Sequence, residues 1–410
     1  MNPSVAIIGG GPAGLVFAIS LARRGVSSII FEAMENPLNI RKYNPSRSYA
    51  IDMTGHGLKA IRYIDAVEDF DKALIPFNGM KLNGKTVTNW DESGWIASRG
   101  DIVSVLTNIA QERYSDLIDI HFQCQLQNID VDAGSFDICK SGEKNSEHFG
   151  PFDLVVAADG GGSKIREQAA AQEPAYQLTR EDIGFYFKML AMDRNTDNLD
   201  ASYLQILSKS MLMVAGAING PGGKGDPLWF SAVPYSCDHR YESLAAVKKD
   251  LKKRCPDALK YSSDDALSAF ADLPAQNIGR ITKSSQLYAG RVVFLGDAAI
   301  SYPPIGQGIN GAMESAKVLD EALIRHSKSG IEMKVAIKRA LFDYNASWLP
   351  ETQAVAWMGK KHNQSNRWHT LRAMALNIFK LDAMTFVKSS TMSYAEALRR
   401  SKRLGPIWWG

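Results

Sequence analysis

Residues 4–32 read SVAIIGGGPAGLVFAISLARRGVSSIIFE, and no other segment constrains the architecture as strongly. An apolar run over residues 5–8 leads into three consecutive glycines, a helical pattern that continues to Arg24, and a second apolar run that ends before Glu32. This order of strand, turn, helix and strand in about thirty residues is typical of a βαβ unit in a parallel sheet.

The glycines of this segment form the pattern Gly9-x-Gly11-x-x-Gly14. Gly9 permits a tight turn, Gly11 lets the backbone approach a pyrophosphate at the positive end of the helix, and Gly14 allows the helix to pack closely on the strand. Glu32 is placed to accept the ribose hydroxyls of an adenosine. The segment therefore predicts a dinucleotide site that also includes Pro12, Ala13 and Ala33, and it does not distinguish FAD from NAD. A glycine turn without a ligand is the alternative.

Two further motifs each follow a predicted strand. Residues 153–166, DLVVAADGGGSKIR, place Asp159 and Gly160 before a helix. Residues 291–310, RVVFLGDAAISYPPIGQGIN, place Gly296 and Asp297 before a loop rich in glycine and proline. The helix after that loop is expected to begin near Ile309.

The three motifs, in this order and at these separations, resemble the group A flavoprotein monooxygenases, the aromatic hydroxylases typified by para-hydroxybenzoate hydroxylase and kynurenine 3-monooxygenase. The resemblance covers residues 4–345. It implies tightly bound, non-covalent FAD, with NADPH or NADH as a transient co-substrate and O2 as the oxidant. The implied reaction is hydroxylation of an electron-rich aromatic or related small molecule through a flavin C4a-hydroperoxide.

The resemblance also implies roles for individual residues. Asp297 would hold ribityl hydroxyls, and Asp159 with Gly160 would lie near both FAD and the NADPH groove. Arg47 and Arg99 would approach the cofactor, although a surface salt bridge is the competing interpretation for each. The residues of the third motif that are predicted to bind the cofactor are Gly296, Asp297, Pro304, Gly306, Gln307, Gly308, Ile309 and Asn310.

The glycine and proline loop has a specific expected task. Pro304 and its neighbour Pro303 would stiffen the backbone on the substrate side of the flavin, while Gly306 and Gly308 would leave room for the ring. The following helix would point its positive end at the flavin N1 and C2 carbonyl, where negative charge accumulates on reduction.

The predicted fold class is α/β, with a Rossmann-like FAD-binding domain interrupted by an antiparallel-sheet substrate domain and followed by C-terminal helices. The predicted FAD-binding domain comprises residues 1–75, 98–175 and 285–345, the substrate domain residues 76–97 and 176–284, and the helical region residues 346–410. No catalytic residue is assigned. The candidates for the pocket wall, for each of which core packing is the alternative, are Tyr186, Lys188, Met213, Trp229, Pro234, Tyr302 and Pro304.

Composition sets broad limits on the function. Of the 410 residues, 45% are hydrophobic and 22% are charged, as in ordinary globular proteins. Four cysteines without metal-ligand spacing, and the lack of a signal peptide or of a long apolar segment, predict a cytoplasmic protein without metal. The net charge of +3 implies no nucleic-acid partner.

Basic residues concentrate at the end of the chain. Residues 360–410 contain ten Lys and Arg against Asp382 and Glu396. This pattern indicates a solvated helical face or, alternatively, a surface that contacts an anionic partner or a membrane peripherally.

Several departures from the family pattern bear on the substrate. Ile300 replaces the usual histidine, and Glu314 replaces the usual aspartate. Relatives that act on kynurenine clamp its carboxylate with arginine, whereas Asn78 and Met80 stand at the matching positions here and Lys81 is the remaining cation. A flavin-dependent halogenase, a flavin-dependent reductase or desaturase of the same fold, and a non-catalytic FAD-binding protein are the alternative functions.

Overall fold

The computed structural model describes residues 3–40, 49–208, 213–327, 331–363, 387–388 and 392–403. The strands are β1 Val5–Ile8, β2 Ser28–Phe31, β3 Ile51–Met53, β4 Ile75–Leu82, β5 Lys85–Ala97, β6 Ile118–His121, β7 Cys124–Asp130, β8 Ser135–Lys140, β9 Ser146–Phe149, β10 Leu154–Ala157, β11 Leu178–Asp182, β12 Tyr186–Met192, β13 Tyr203–Ser208, β14 Met213–Gly220, β15 Gly223–Tyr235, β16 Gln276–Asn277, β17 Arg280–Ser284, β18 Tyr288–Ala289, β19 Val292–Phe294 and β20 Ile300–Ser301. The α-helices are α1 Pro12–Ala22, α2 Gly55–Tyr63, α3 Val67–Ala73, α4 Arg99–Arg113, α5 Lys164–Gln172, α6 Leu244–Arg254, α7 Ala258–Tyr261, α8 Asp264–Asp272, α9 Gly308–His326, α10 Met333–Asn363 and α11 Tyr394–Arg403.

A six-stranded sheet carries the first half of the architecture, in the order β18-β19-β10-β1-β2-β6. All neighbouring strands run parallel except the edge pair β18 and β19. Every residue of β1 and β10 is buried, which explains why both read as continuous apolar runs rather than as alternating patterns. The predicted Rossmann-like sheet is confirmed.

Helix α1 is enclosed on all sides. All of its residues are buried, because it lies between the six-stranded sheet and the helices α4 and α9. A helix that is apolar around its whole circumference belongs in a protein interior. Its N-terminus is therefore held rigidly at the carboxyl edge of the sheet.

An eight-stranded sheet forms the second half, in the order β16-β12-β15-β14-β13-β4-β5-β3. The sheet is antiparallel as predicted, apart from one parallel pair, β13 with β4. One of its faces packs against α6 and α8, so the sheet is buried on both sides along its centre. The glycine-rich segment over residues 220–225 makes the hairpin between β14 and β15.

Smaller sheets and helices complete the fold. The strands β7, β8 and β9 form one three-stranded antiparallel sheet, and β11, β17 and β20 form another. The predicted division at residues 345 and 346 lies inside α10, which runs continuously through it. Among the described helices, none combines the length and the apolar character needed to cross a membrane.

Candidate cofactor and substrate site

The three sequence motifs meet at one edge of the six-stranded sheet. They follow β1, β10 and β19, and the carboxyl ends of parallel strands all lie on the same side of a sheet. A Cβ atom on Gly9 would lie 2.4 Å from the Ala158 oxygen, and one on Gly296 would lie 3.7 Å from the Ala13 Cβ. Segments separated by more than a hundred residues therefore build one surface.

The glycine turn leaves the N-terminus of α1 bare. A Cβ atom on Gly14 would lie 2.1 Å from the Gly9 oxygen, so only glycine permits this approach of helix and strand. Gly11 precedes the helix and provides no side-chain cap. The Nη2 atom of Arg99 lies 3.2 Å from the position of a Cβ on Gly11. Unpaired N–H groups and a guanidinium thus face the same space, a suitable environment for a pyrophosphate.

Glu32 is oriented by the same turn. Its Oε2 accepts a hydrogen bond from the Gly10 N–H at 2.6 Å, and its Oε1 accepts one from the Met34 N–H at 2.8 Å. Each oxygen keeps acceptor capacity after these bonds. The carboxylate is therefore fixed beside the turn and can still accept from a ribose hydroxyl. Ala33 follows it at the end of β2.

Asp297 lies at the bottom of the groove, in a short 3-10 turn after β19. Its side chain is accessible from the groove, yet the surrounding protein removes enough water to raise its pKa, while Arg99 and Arg166 lower it. No described residue forms a hydrogen bond or ion pair with this carboxylate. It is therefore free to accept from hydroxyl groups of a ligand.

The loop after β10 is fastened to the loop after β19 by Arg166. This buried side chain donates to the main-chain oxygens of Asp297 and Ala298 at 3.0 and 3.1 Å and to that of Gly161 at 2.6 Å. Asp159 Oδ2 accepts from the Lys164 N–H at 3.0 Å, whereas its Oδ1 is buried without a hydrogen-bond partner in the described part of the chain. Burial raises the pKa of Asp159. The orphaned oxygen indicates a missing ligand or water.

The third motif contains two kinds of residue: glycines that leave the backbone uncovered, and residues whose side chains form hydrogen bonds within the protein. A Cβ atom on Gly308 would meet no atom of the described residues within 4 Å, so the start of α9 faces open space in this part of the chain. Asn310, in contrast, uses its side chain for the protein: Nδ2 donates to the Asp52 and Gly306 oxygens at 2.8 and 2.9 Å, and Oδ1 accepts from the Thr54 N–H. Asn310 therefore connects the loop at Gly306 with Asp52 and Thr54.

These features together fit FAD. The uncapped helix N-termini and the arginine suit a pyrophosphate. The two accessible carboxylates suit hydroxyl groups, and the glycine-lined opening suits a flat ring. The predicted residue Arg47 lies outside the described residues, Pro304 is exposed in the loop, and Ile309 is half-buried in the first turn of α9.

Five of the residues predicted for the pocket wall lie in the eight-stranded sheet, and they are divided between its two faces. Lys188, Met213 and Trp229 project from the face of the eight-stranded sheet that packs on α6 and α8, and Tyr186 shares that face by alternation along β12. Pro234 lies opposite Phe187, on the other face. The sequence did not distinguish these two faces, because a sheet buried on both sides shows no difference in polarity between them.

The face toward the cofactor groove carries different residues. Phe187, Met189 and Phe230 form an apolar cluster there, and Ala50 packs against it. Tyr49 makes an edge-on contact with Phe187, with ring centroids 6.2 Å apart. Neither Tyr49 nor Arg166 was predicted from the sequence, although Tyr49 stands two positions after the predicted Arg47 and Arg166 ends the second motif.

Tyr302 lies between the groove and the C-terminal helices. Its hydroxyl donates to the Gln307 oxygen at 3.3 Å, and a small cavity is lined by Tyr302, Asp297, Trp348 and Tyr394. Burial raises the pKa of Tyr302. The replacement residue Glu314 is buried and pairs with His56 and Lys59, so it serves the interior and not the groove.

Comparisons with known proteins agree with this geometry. Residues 100–332 match a family model described as FAD binding domain, and residues 7–74 match one described as NAD(P)-binding Rossmann-like domain. The kynurenine 3-monooxygenase of Salinispora tropica is 25% identical over 433 residues, covering 97% of this chain and 91% of that protein. The enzyme of the same name from Debaryomyces hansenii is 25% identical over 353 residues, covering 80% of this chain and 73% of that protein.

Solved structures show the same fold. A 2-methyl-3-hydroxypyridine-5-carboxylic acid oxygenase superposes with a TM-score of 0.65 at 18% identity, covering 98% of both chains. A tetracycline destructase superposes with a TM-score of 0.62 at 18% identity, covering 96% of this chain and 99% of the other.

The chain belongs to the FAD-binding domain family, whose model matches more than half of it, and within that family it is a group A flavoprotein monooxygenase. It is an NAD(P)H-dependent oxidoreductase that uses FAD and O2. The prediction of an FAD-dependent aromatic hydroxylase is confirmed over its alternatives.

Proposed function

We propose that the chain hydroxylates a small electron-rich aromatic molecule in the space between the carboxyl edge of the six-stranded sheet and the Phe187 face of the eight-stranded sheet. The observation that carries this proposal is the position of Tyr49. Its ring packs on Phe187, while Asp297 and Arg99 act electrostatically on its hydroxyl. In this proposal, the polar cofactor groove and the apolar face open on one cavity.

Individual residues have defined tasks in this proposal. Glu32 would hold the ribose of FAD, the N-terminus of α1 with Arg99 would hold the pyrophosphate, and Asp297 would hold the ribityl chain. The backbone from Gly306 to Gly308 would lie against the ring. When bound, FAD supplies the transfer of electrons from NAD(P)H to oxygen.

The protein has a second task, which is to keep water away from the reacting centre. The cluster of Phe187, Met189 and Phe230 presents no hydrogen-bonding group to the cavity. Tyr49 exposes 40% of its surface, yet the protein around it raises its pKa through loss of hydration. Such a cavity favours oxygen transfer to an apolar ring over release of hydrogen peroxide.

Kynurenine is not the substrate that we propose. Lys81, the remaining cation on β4, forms an ion pair with Asp200 at 2.7 Å and lies over the Tyr203 ring. Asn78 Oδ1 accepts from the Ser93 hydroxyl at 2.7 Å. Neither side chain is available to clamp a carboxylate as the arginines of kynurenine-specific relatives do.

The test uses the full chain purified with FAD. Aromatic metabolites, with kynurenine included, are screened for faster NAD(P)H oxidation, and the products are analysed by mass under labelled O2. We expect one labelled oxygen atom in the product of a compound other than kynurenine. Turnover without label in the product, or failure to bind FAD, would refute the proposal.

We also propose a cytoplasmic location. All four cysteines, Cys124, Cys139, Cys237 and Cys255, are free thiols, which suits a reducing compartment. Fractionation of the native host would test this, and recovery with membranes after a salt wash would contradict it.

A further inference from the structure

Two side chains near the end of the chain reach consecutive residues of the loop before α9. The Lys388 Nζ lies 2.7 Å from Asp52 Oδ2, and equally 2.7 Å from the position that a Cβ atom on Gly306 would occupy. The Tyr394 hydroxyl donates to Gln307 Oε1 at 3.0 Å. Both contacts therefore end on the part of the loop that would face the flavin.

The ion pair of Lys388 is largely shielded from water. Its side chain is 16% exposed and that of Asp52 is 6% exposed. An ion pair at this depth is weakly screened, and removing one partner leaves an uncompensated buried charge. Lys388 thus departs from the basic solvated face that the sequence predicted for this region.

Tyr394 is equally constrained. It is fully buried, its ring stacks on His56 with centroids 4.0 Å apart, and burial raises its pKa well above the ordinary value. Gln307 is fully buried as well, and its Nε2 donates to the Gly306 oxygen at 2.8 Å. The hydrogen bond from the tyrosine hydroxyl therefore fixes the Gln307 amide with its oxygen toward Tyr394 and its nitrogen toward Gly306.

The last turn of α10 holds the preceding residues of the same loop. A Cβ atom on Gly359 would lie 3.0 Å from the Pro303 oxygen, and Asn363 Nδ2 donates to the Pro304 oxygen at 3.4 Å. Described residues from α10 onward thus contact the loop from Pro303 to Gln307. Asn310 supports it from the opposite side.

We propose that Lys388 and Tyr394, two described residues of the C-terminal part of the chain, belong to the flavin site as positioning residues that set the geometry of Gly306 and Gln307. This inference rests on the proposed function, because the geometry of the loop matters only if the ring of FAD lies against it. Without either contact, the turn samples several conformations and holds the ring less precisely.

The experiment compares four variants of the full chain. Lys388→Met removes the charge, Lys388→Arg keeps it, and Tyr394→Phe removes only the hydroxyl. Lys317→Met is the matched control, because Lys317 forms an ion pair of the same length with Glu321 on the outer side of α9 and is 21% exposed. Amide hydrogen exchange of residues 303–308 is measured in the protein without FAD, and the dissociation constant for FAD and the fraction of NAD(P)H lost as peroxide are measured separately.

We expect faster exchange in residues 303–308 for Lys388→Met and Tyr394→Phe, with FAD affinity reduced about tenfold and about fivefold, as for loss of a charged and a neutral buried hydrogen bond. Peroxide release rises in both, Lys388→Arg recovers most of the loss, and Lys317→Met stays within about twofold of the parent. Parent-like exchange and FAD affinity in both variants, even with a lowered melting temperature, would overturn the inference. If the parent protein itself fails to bind FAD, the proposed function fails, and the exchange measurement still tests the role of Lys388 and Tyr394 in holding the loop.

Discussion

Arg166 donates hydrogen bonds to the main-chain oxygens of Gly161 and Asp297, two residues that follow neighbouring strands but stand far apart in the sequence. The guanidinium is buried and has no carboxylate partner among the residues described. Its planar fork holds donors apart in fixed directions and can bind well-separated carbonyl oxygens, whereas a lysine concentrates its three donors on one nitrogen. The relative position of two predicted cofactor loops therefore depends on one side chain.

Arg166→Met should destabilise the protein by about 3 kcal/mol, because three carbonyl oxygens lose their donor. FAD affinity should fall as well, since the main chain that positions the Asp297 side chain is no longer held in place. Urea unfolding and FAD titration measure the two effects. Arg180→Met, which removes an exposed ion pair with Glu167, serves as the control and should change little. Unchanged FAD affinity in a folded Arg166→Met protein would contradict this account.

Two glycines of the site should respond to alanine in opposite ways. In Gly14→Ala the new methyl group would lie 2.1 Å from the Gly9 oxygen, so the helix and strand must separate and the protein without FAD should lose several kcal/mol of stability.

In Gly308→Ala the methyl group enters open space. This variant should fold normally and lose about tenfold or more in FAD affinity, since the methyl group occupies the space of the ring. Thermal unfolding without FAD and fluorescence titration distinguish the two. Normal FAD binding by Gly308→Ala would show that the ring does not lie there.

The buried Lys188 should make stability depend on pH. Its Nζ donates to the Ala271 oxygen and lies between the Tyr241 and Phe270 rings, and burial lowers its pKa from 10.5 to about 8. Between these two values the unfolded chain binds more protons than the folded one, so the free energy of unfolding rises with pH across this window and is lowest below it.

Lys188→Met should abolish that rise and stabilise the protein by about 1–3 kcal/mol at neutral pH, with the gain disappearing above the unfolded pKa. Chemical unfolding of both proteins between pH 7 and pH 10 checks this. Lys248→Met, on the exposed face of α6, controls for a simple change of net charge. A loss of stability at pH 7 in Lys188→Met would mean that the lysine is stabilising in its charged form.

Substitutions on the two faces of the eight-stranded sheet should have different effects, on substrate binding for one face and on stability for the other. Phe187→Leu changes the face toward the groove, so KM for the substrate and the peroxide fraction should rise about threefold to tenfold while FAD affinity stays constant. Trp229→Ala changes the face covered by α6 and α8 and should cost about 3–5 kcal/mol of stability with KM unchanged. Steady-state kinetics and urea unfolding separate these outcomes. The assignment of faces is wrong if the two variants exchange phenotypes.

The amino-acid sequence by itself determined the parallel sheet and the family, and it predicted the main cofactor residues. Gly9, Gly11 and Gly14 carry this information locally, because a tight turn, a bare helix terminus and a close packing contact each require a specific residue type at a specific spacing. Asp297 was identified for the same reason, since it follows a buried strand directly.

Tertiary structure decided which face of the large sheet is covered by α6 and α8 and which distant side chains reach the candidate site. The two faces of a strand that is buried on both sides do not differ in polarity, so the sequence does not show which face Lys188 or Phe187 occupies. The structure shows that α6 and α8 cover the face of Lys188 and not that of Phe187. In the sequence, Lys388 cannot be told apart from the other basic residues of its segment. Only the fold places its ammonium group beside Asp52 and Gly306. Such contacts arise from the packing of remote elements, which local patterns of residue type do not encode.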